Sequence, residues 1–125
     1  MTKQITRSST AVLMFSALIT LLLTLSAVGK IVGVQPVGEA FEKFGLKNNM
    51  LLIGIGELAS AWLFLIPRTS SLGLLLLSAH LGGAIATHLQ HGESYIVPAV
   101  LLLLVWIAGY VRHPEILQSF HRRVA

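Results

Sequence analysis

Residues 8–29, SSTAVLMFSALITLLLTLSAVG, decide the fold because this run contains no charged side chain. Residues 69–87 and 94–111 are also free of lysine, arginine, aspartate and glutamate, and residues 48–66 contain a single such residue, Glu57. Each run is close to the roughly 20 apolar residues that a helix needs to cross about 30 Å of hydrocarbon. The sequence therefore predicts four transmembrane helices.

The composition agrees with this prediction. Of the 125 residues, 54% are hydrophobic and only 11% are charged, whereas a soluble domain contains about 25% charged residues. This balance argues against a cytosolic enzyme and a disordered chain, and it favours an integral membrane protein. The sequence has no cysteine, which excludes a disulfide scaffold, a thiol nucleophile and a cysteine metal site.

We predict an all-α fold, a transmembrane four-helix antiparallel bundle with a short interfacial helix in the first loop. The apolar runs are apolar on every side, whereas a β-barrel would alternate in units of about 10 residues. The whole chain, residues 1–125, then forms one membrane domain. Its spans lie at approximately residues 9–29, 49–66, 70–89 and 95–112, and the interfacial helix lies at approximately residues 36–44.

The turn between the second and third spans is short. Pro67 ends the second span, and Thr69, Ser70 or Ser71 is expected to cap the N-terminus of the third. The loop between the third and fourth spans is equally short, so consecutive helices are expected to be antiparallel neighbours.

The distribution of lysine and arginine predicts the orientation, because these residues concentrate on the cytoplasmic side. Six of them lie at the termini and in the second loop: Lys3, Arg7, Arg68, Arg112, Arg122 and Arg123. Three lie on the opposite side: Lys30, Lys43 and Lys47. We therefore expect both termini to be cytoplasmic. This topology accounts for the net charge of +4, and the chain lacks the basic stripe with interleaved aromatic residues that would predict nucleic-acid binding.

The first span also resembles a signal peptide, with Lys3 and Arg7 as its basic region and residues 27–29 as a small-residue cleavage site. A mature chain without this segment would have three spans. The apolar region of a signal peptide is about 7 to 15 residues long, and this run is longer, so we predict a retained helix.

The first loop contains an amphipathic segment. Pro36 suits the first turn of a helix, Val37, Phe41 and Phe44 form one apolar stripe, and Gly45 is expected to end the helix. A helix this short either lies in the membrane interface or packs as a lid over the mouth of the bundle. The C-terminal tail is a weaker version of the same pattern, with basic residues that suit anionic lipid.

Four ionisable side chains lie within the predicted spans or at their ends: Lys30, Glu57, His80 and His88. Such side chains are costly in a membrane, so they are candidate functional residues. Glu57 lies eight residues from the outer end of the second span, and His80 lies eight residues from His88 at the outer end of the third. Both are therefore about 12 Å deep, and we expect all four side chains in the outer half of the bundle.

Each of these residues also has a purely structural explanation. Lys30 can extend towards the interface, His88 can interact with the dipole at the end of its helix, and His80 can be neutral and hydrogen-bonded within the bundle. That explanation is weakest for Glu57, because a buried carboxylate must be neutral or paired, and all three other residues are within reach. The surrounding glycine and alanine residues allow either close helix packing or a ligand pocket between helices.

The sequence predicts no metal site. His88 and His91 are three residues apart on one helix face, and Glu57 could be a third ligand, but zinc needs three or four ligands in a compact arrangement. A haem bound by His80 would lack a second axial ligand. No flavin or nucleotide motif is present, because residues 54–56 lie inside an apolar helix and not after a strand.

Short motifs follow one another at the ends of the predicted helices: Gly29-Lys30-Ile31-Val32-Gly33, Phe41-Glu42-Lys43-Phe44-Gly45-Leu46, Gly54-Ile55-Gly56-Glu57-Leu58-Ala59, Ile66-Pro67-Arg68-Thr69 and Gly83-Ala84-Ile85-Ala86-Thr87-His88-Leu89. In this order and spacing, the set resembles the DoxX-like family of small bacterial four-helix membrane proteins. The resemblance covers about residues 10–114, which is nearly the whole chain.

The resemblance implies a four-span bundle in the bacterial inner membrane. It highlights Lys30, Glu57, Thr87 and His88 as site residues, whereas His80 stands where the family pattern leads us to expect an apolar residue. The family takes its name from a membrane subunit of a thiosulfate:quinone oxidoreductase, so a quinone is the cofactor or ligand that the resemblance suggests. The absence of cysteine argues against persulfide or disulfide chemistry by this chain itself.

Three hypotheses follow. The first is an accessory membrane protein that binds a quinone head group or a lipid in a pocket formed by Lys30, Glu57, His80, Thr87 and His88. The second is a subunit of a quinone-linked oxidoreductase that relays protons through Glu57 and a histidine. The third is a small transporter or channel, which the lack of a charged pore ring disfavours. The expected partners are the lipid bilayer and either a redox enzyme or further copies of the chain.

Overall fold

The computed structural model describes the backbone of residues 2–121 and the side chains of residues 10–119. The chain is all-helical over the described residues, which confirms the predicted all-α class. The helices are α1 (Thr2–Val32), α2 (Gln35–Lys43), α3 (Met50–Leu65), α4 (Ser70–Gln90), α5 (Ile96–Arg112) and α6 (Gln118–His121). Short 3₁₀ turns at Lys47–Asn49, Pro67–Thr69 and Pro114–Leu117 precede α3, α4 and α6.

Three apolar segments are long enough to cross a membrane by length and composition: Thr10–Val32, Lys47–Leu65 and Pro67–Gln90. The fourth apolar helix, α5, is shorter, with 17 residues, which is near the lower limit for a spanning helix. Many large apolar side chains point outwards, among them Met14, Leu52 and Leu75. Such a surface is typical of a protein that contacts an apolar environment.

Gly45 ends α2 as predicted. It adopts a φ of +72°, a left-handed conformation that glycine reaches without steric cost. The Leu46 backbone N–H then donates to the Phe41 carbonyl oxygen over 2.8 Å, which is the bond that closes a Schellman motif. This sharp end turns the chain from α2 towards α3.

A predicted residue, Thr69, occupies the N-cap position of α4, but the expected capping hydrogen bond is absent. Its hydroxyl donates instead to the Leu63 carbonyl oxygen over 2.8 Å. The reason is local: the 3₁₀ turn places Thr69 beneath the C-terminus of α3, where unpaired carbonyl oxygens compete for donors. Arg112 also binds the C-terminus of α3, because its guanidinium donates to the Phe64 and Leu65 carbonyl oxygens over 2.8 and 2.7 Å.

The four long helices pack in a ring. Helix α1 contacts α3, α3 contacts α4, α4 contacts α5, and α5 returns to α1. The buried core lies between them and consists of Ile19, Leu23, Ala61, Phe64, Leu74, Leu77, Leu81, Val105 and Ala108. At Gly73 the backbones of α3 and α4 touch, because a Cβ atom there would lie 2.1 Å from the Phe64 backbone nitrogen.

The C-terminal tail turns back onto the bundle. Ile116, in the 3₁₀ turn after α5, packs against the hydrophobic core. Part of the predicted apolar stripe of the tail is therefore covered by protein. The basic residues Arg122 and Arg123, as well as the side chains of Lys3 and Arg7, lie outside the described part of the structure.

Candidate functional site

A buried polar cluster joins α1, α3 and α4. Glu57 is 1% exposed, and its Oε2 atom accepts a hydrogen bond from Lys30 Nζ over 2.6 Å. His80 Nε2 lies 3.2 Å from the same oxygen. Lys30 Nζ also donates to Ser26 Oγ over 2.6 Å. The three ionisable side chains and one hydroxyl thus form a continuous group of polar contacts.

A glycine in α3 allows this cluster to form. A Cβ atom on Gly54 would lie 3.0 Å from Lys30 Cβ and 3.1 Å from the Ala27 carbonyl oxygen. Helices α1 and α3 therefore approach closely one turn before Glu57. This approach brings the Lys30 side chain across the helix interface to the carboxylate.

The cluster lies on the wall of a cavity of about 630 Å³. All four long helices and α2 contribute to the wall. Its lining residues are Leu22, Leu23, Ser26, Lys30, Pro36, Val37, Ala40, Phe41, Phe44, Leu46, Ile53, Glu57, Ala79, His80, Leu81, Gly83, Ala84, Thr87, His88, Val97, Pro98 and Leu101. Most of these side chains are apolar, which is typical of small-molecule sites that place a few polar groups in an apolar pocket.

The apolar stripe of α2 faces this cavity. Val37, Phe41 and Phe44 all line it, and the ring centroid of Phe44 lies 5.3 Å from that of His88 and 5.1 Å from that of His91. Helix α2 therefore forms one wall of the cavity.

An ion pair links the end of α2 to the loop between α4 and α5. Lys43 Nζ bonds to Glu93 Oε1. The hydrogen bond and the charge of Lys43 lower the pKa of Glu93 below its ordinary value. Because Glu93 is solvated, the pair is a surface latch whose strength depends on salt and pH.

Comparison with known proteins identifies the family. A family model described as the DoxX-like family matches residues 14–108. The chain belongs to the DoxX-like family. This membership and the three long apolar helices fit a multi-pass membrane protein. No curated protein and no solved structure matches this DoxX-like chain.

The structure brings all five predicted site residues of this DoxX-like protein to one cavity: Lys30, Glu57, His80, Thr87 and His88 all line it. Of the three partners that the sequence allowed for Glu57, the structure selects Lys30 and His80. His88 instead donates from Nδ1 to the Ala84 carbonyl oxygen over 2.6 Å. Thr87 Oγ1 donates to the Gly83 carbonyl oxygen over 2.8 Å.

The described residues of the DoxX-like chain contain no group of three or more histidine, cysteine, aspartate or glutamate side chains that could hold a metal ion. His88 and His91 do not converge on Glu57 as a third ligand. They pack against Phe44 instead.

Small residues of the DoxX-like protein allow close helix packing at some positions and leave open space between helices at others. At Gly54 they allow helices to touch, as described above. At Gly83, in contrast, an added Cβ atom would meet no other atom within 4 Å, and this glycine lines the cavity. Close packing and an open pocket thus occur at different positions of the same bundle.

Sequence reasoning missed Ser26 and the contribution of α5. Ser26 lies four residues before Lys30, so the two share a helix face, and this spacing could have identified it. The α5 residues Val97, Pro98 and Leu101 line the cavity, but nothing distinguishes them from other apolar residues of that helix.

Proposed function

We propose that this protein is a multi-pass protein of the bacterial inner membrane that binds a small amphipathic ligand, the head group of a quinone or a lipid, in the cavity between its helices. One observation carries the proposal: a buried cluster of Lys30, Glu57 and His80 lies on the wall of an otherwise largely apolar cavity of about 630 Å³. Isolated charges are expensive in such a place. An apolar cavity with a few convergent polar groups is suited to a ligand with an apolar body and a polar head.

The proposed architecture is an antiparallel four-helix bundle. Helix α5 acts as the fourth span, since it packs against both α1 and α4. Helix α2 lies at the outer interface as a lid, and both termini lie in the cytoplasm. The excess of lysine and arginine at the termini and in the turn before α4 supports this orientation.

The absence of cysteine makes the orientation testable. Single substitutions Asn48→Cys and Ser71→Cys would introduce thiols at opposite ends of the bundle. In intact cells, a membrane-impermeant maleimide is expected to label Asn48→Cys and to leave Ser71→Cys unlabelled until the cells are broken. The reverse pattern would contradict the orientation.

Two neighbouring glycines provide a matched test of ligand binding. A Cβ atom added at Gly82 or Gly83 would meet no other atom within 4 Å, but only Gly83 lines the cavity. The protein would be extracted with its surrounding native lipid, and co-purified small molecules would be identified by mass spectrometry. Gly83→Leu should lose a species that wild type and Gly82→Leu retain. Equal amounts of every species in all three proteins would contradict the proposal.

A second candidate function is proton transfer in a quinone-linked oxidoreductase with a separate redox partner or a second copy of this chain. The contact between His80 and Glu57 at 3.2 Å favours it, because such groups can pass a proton to a reacting quinone. The test is quinone-dependent turnover after gentle extraction, with His80→Phe compared with wild type. Loss of turnover in the variant would support the relay. Unchanged turnover, or extraction without any redox protein, would contradict it.

A further inference from the structure

The hydrogen bonds of the buried cluster leave one oxygen of Glu57 unused. Lys30 and His80 both contact Oε2. Among the described residues, no group donates to Oε1, and Glu57 lines the cavity. This oxygen is open to the cavity, because Ser70 Oγ is the one fully buried side-chain atom without a partner in the described part of the structure. An ionised carboxylate can only accept hydrogen bonds, so this oxygen can accept one from a molecule that occupies the cavity. A ligand that presents a hydrogen-bond donor would satisfy this oxygen.

Lys30 offers the complementary group. Its ammonium has three N–H donors, of which one binds Ser26 Oγ and one binds Glu57 Oε2. The described residues provide no acceptor for the third N–H, and Lys30 also lines the cavity. An acceptor and a donor therefore lie next to each other, which matches a hydroxyl group, because a hydroxyl donates one hydrogen bond and accepts others.

The charges of the cluster indicate a neutral head group. The positive charge of Lys30 and the negative charge of Glu57 cancel across the 2.6 Å contact. An anionic head group, such as that of a phosphatidylglycerol, would bring an unpaired charge into a largely apolar cavity, which is costly. A neutral hydroxyl would not.

We infer that the cavity selects a neutral ligand with a hydroxyl head, and that it binds a quinol more tightly than the corresponding quinone. This inference rests on the proposed function and specifies the chemistry of the same site. A quinone presents only acceptors, so it can bind Lys30 but leaves Glu57 Oε1 unsatisfied. A quinol satisfies both atoms. One additional hydrogen bond to a charged group corresponds to a difference in affinity of about 10-fold or more.

The test measures the affinity of purified wild-type protein for a short-chain benzoquinol and its quinone, under anaerobic conditions, by the change in thermal midpoint with ligand concentration. Decanol and a phosphatidylglycerol serve as competitors. We expect the quinol to bind at least about 10-fold more tightly than the quinone. Displacement of the quinol by decanol would support recognition of the hydroxyl in general and point to a lipid alcohol as a second source.

Equal or tighter binding of the quinone, or displacement of the quinol by the phosphatidylglycerol alone, would overturn the inference while leaving the proposed cavity intact. Failure of the proposed function would give a different result, in which no probe binds and Gly83→Leu retains the same co-purified small molecules as the wild type. Glu57→Gln adds a second measurement, since its amide removes the charged acceptor. The preference for quinol should then fall to within about threefold, whereas the exposed control Glu42→Gln should keep it. An unchanged preference in Glu57→Gln would also overturn the inference.

Discussion

Substitution of Gly73 by alanine should separate α3 from α4 and destabilise the bundle. The added Cβ atom would lie 2.1 Å from the Phe64 backbone nitrogen, 2.4 Å from Phe64 Cα and 2.6 Å from the Leu63 carbonyl carbon. These atoms belong to a helix backbone, so no side-chain rotation relieves the overlap. The two helices must move apart by about 1.4 Å to restore normal contact distances of about 3.5 Å.

Such a separation loosens the core beside it. A gap of 0.5 to 1 Å already forfeits about a quarter to a half of the dispersion energy between facing atoms, and overpacking alone costs about 1–3 kcal/mol. Phe64 and Leu74 are buried at this contact. We therefore expect a loss of about 3 kcal/mol in the free energy of unfolding, which outweighs the gain of about 1 kcal/mol in helix propensity from glycine to alanine.

The assay is thermal unfolding of the detergent-solubilised protein, followed by the fluorescence of Trp62 and Trp106. A loss of about 3 kcal/mol should lower the midpoint by about 10 °C. Gly82→Ala is the matched control on the same helix, because a Cβ atom there meets nothing within 4 Å, and it should unfold at or above the wild-type midpoint. A Gly73→Ala midpoint equal to that of the control would refute the backbone contact between α3 and α4.

Two further predictions concern ion pairs. Lys30→Met should lower the free energy of unfolding by about 3 kcal/mol, because it leaves the Glu57 carboxylate buried without its cation. The control Lys47→Met should change that free energy by less than about 0.5 kcal/mol, because Lys47 is exposed. Equal thermal midpoints for the two variants would contradict a buried pair. The second concerns the latch between Lys43 and Glu93. Because the pKa of Glu93 is lowered in the folded state, the latch is fully formed above the ordinary carboxylate pKa and is lost as the pH falls through the lowered value. Hydrogen exchange of the α2 amides should therefore accelerate at acidic pH, after correction for intrinsic rates. In the Glu93→Gln variant, the α2 amides should exchange fast at every pH. A slow, pH-independent exchange rate in that variant would show that the ion pair does not hold α2.

Much of the fold could be predicted because it depends on charge spacing. A run such as residues 8–29, with no charged residue, predicts a helix from length alone. Depth along a helix can also be predicted by counting, and this counting places Glu57 level with His80, where the structure finds their contact. Rotation about a helix axis could not be predicted, because each residue turns the helix by about 100° and a run that is apolar all round gives no preferred face.

Rotation decides the details that the sequence left open. It determines that Glu57, Lys30 and His80 face one another across α1, α3 and α4. It also determines that Gly54 faces α1 while Gly83 faces the cavity. Local sequence places Thr69 correctly at the N-cap of α4 but does not predict that its hydroxyl donates to the Leu63 carbonyl oxygen of α3.

A cryo-electron microscopy map of the protein in native lipid tests the proposed ligand site most directly. We predict elongated density in the cavity between the helices, with its head within hydrogen-bonding distance of Glu57 Oε1 and Lys30 Nζ and its apolar part against Leu101. We further predict that the Gly83→Leu protein lacks this density and keeps the contact between Lys30 and Glu57. A wild-type cavity that is collapsed, or that contains only water around Glu57, would contradict the proposed site.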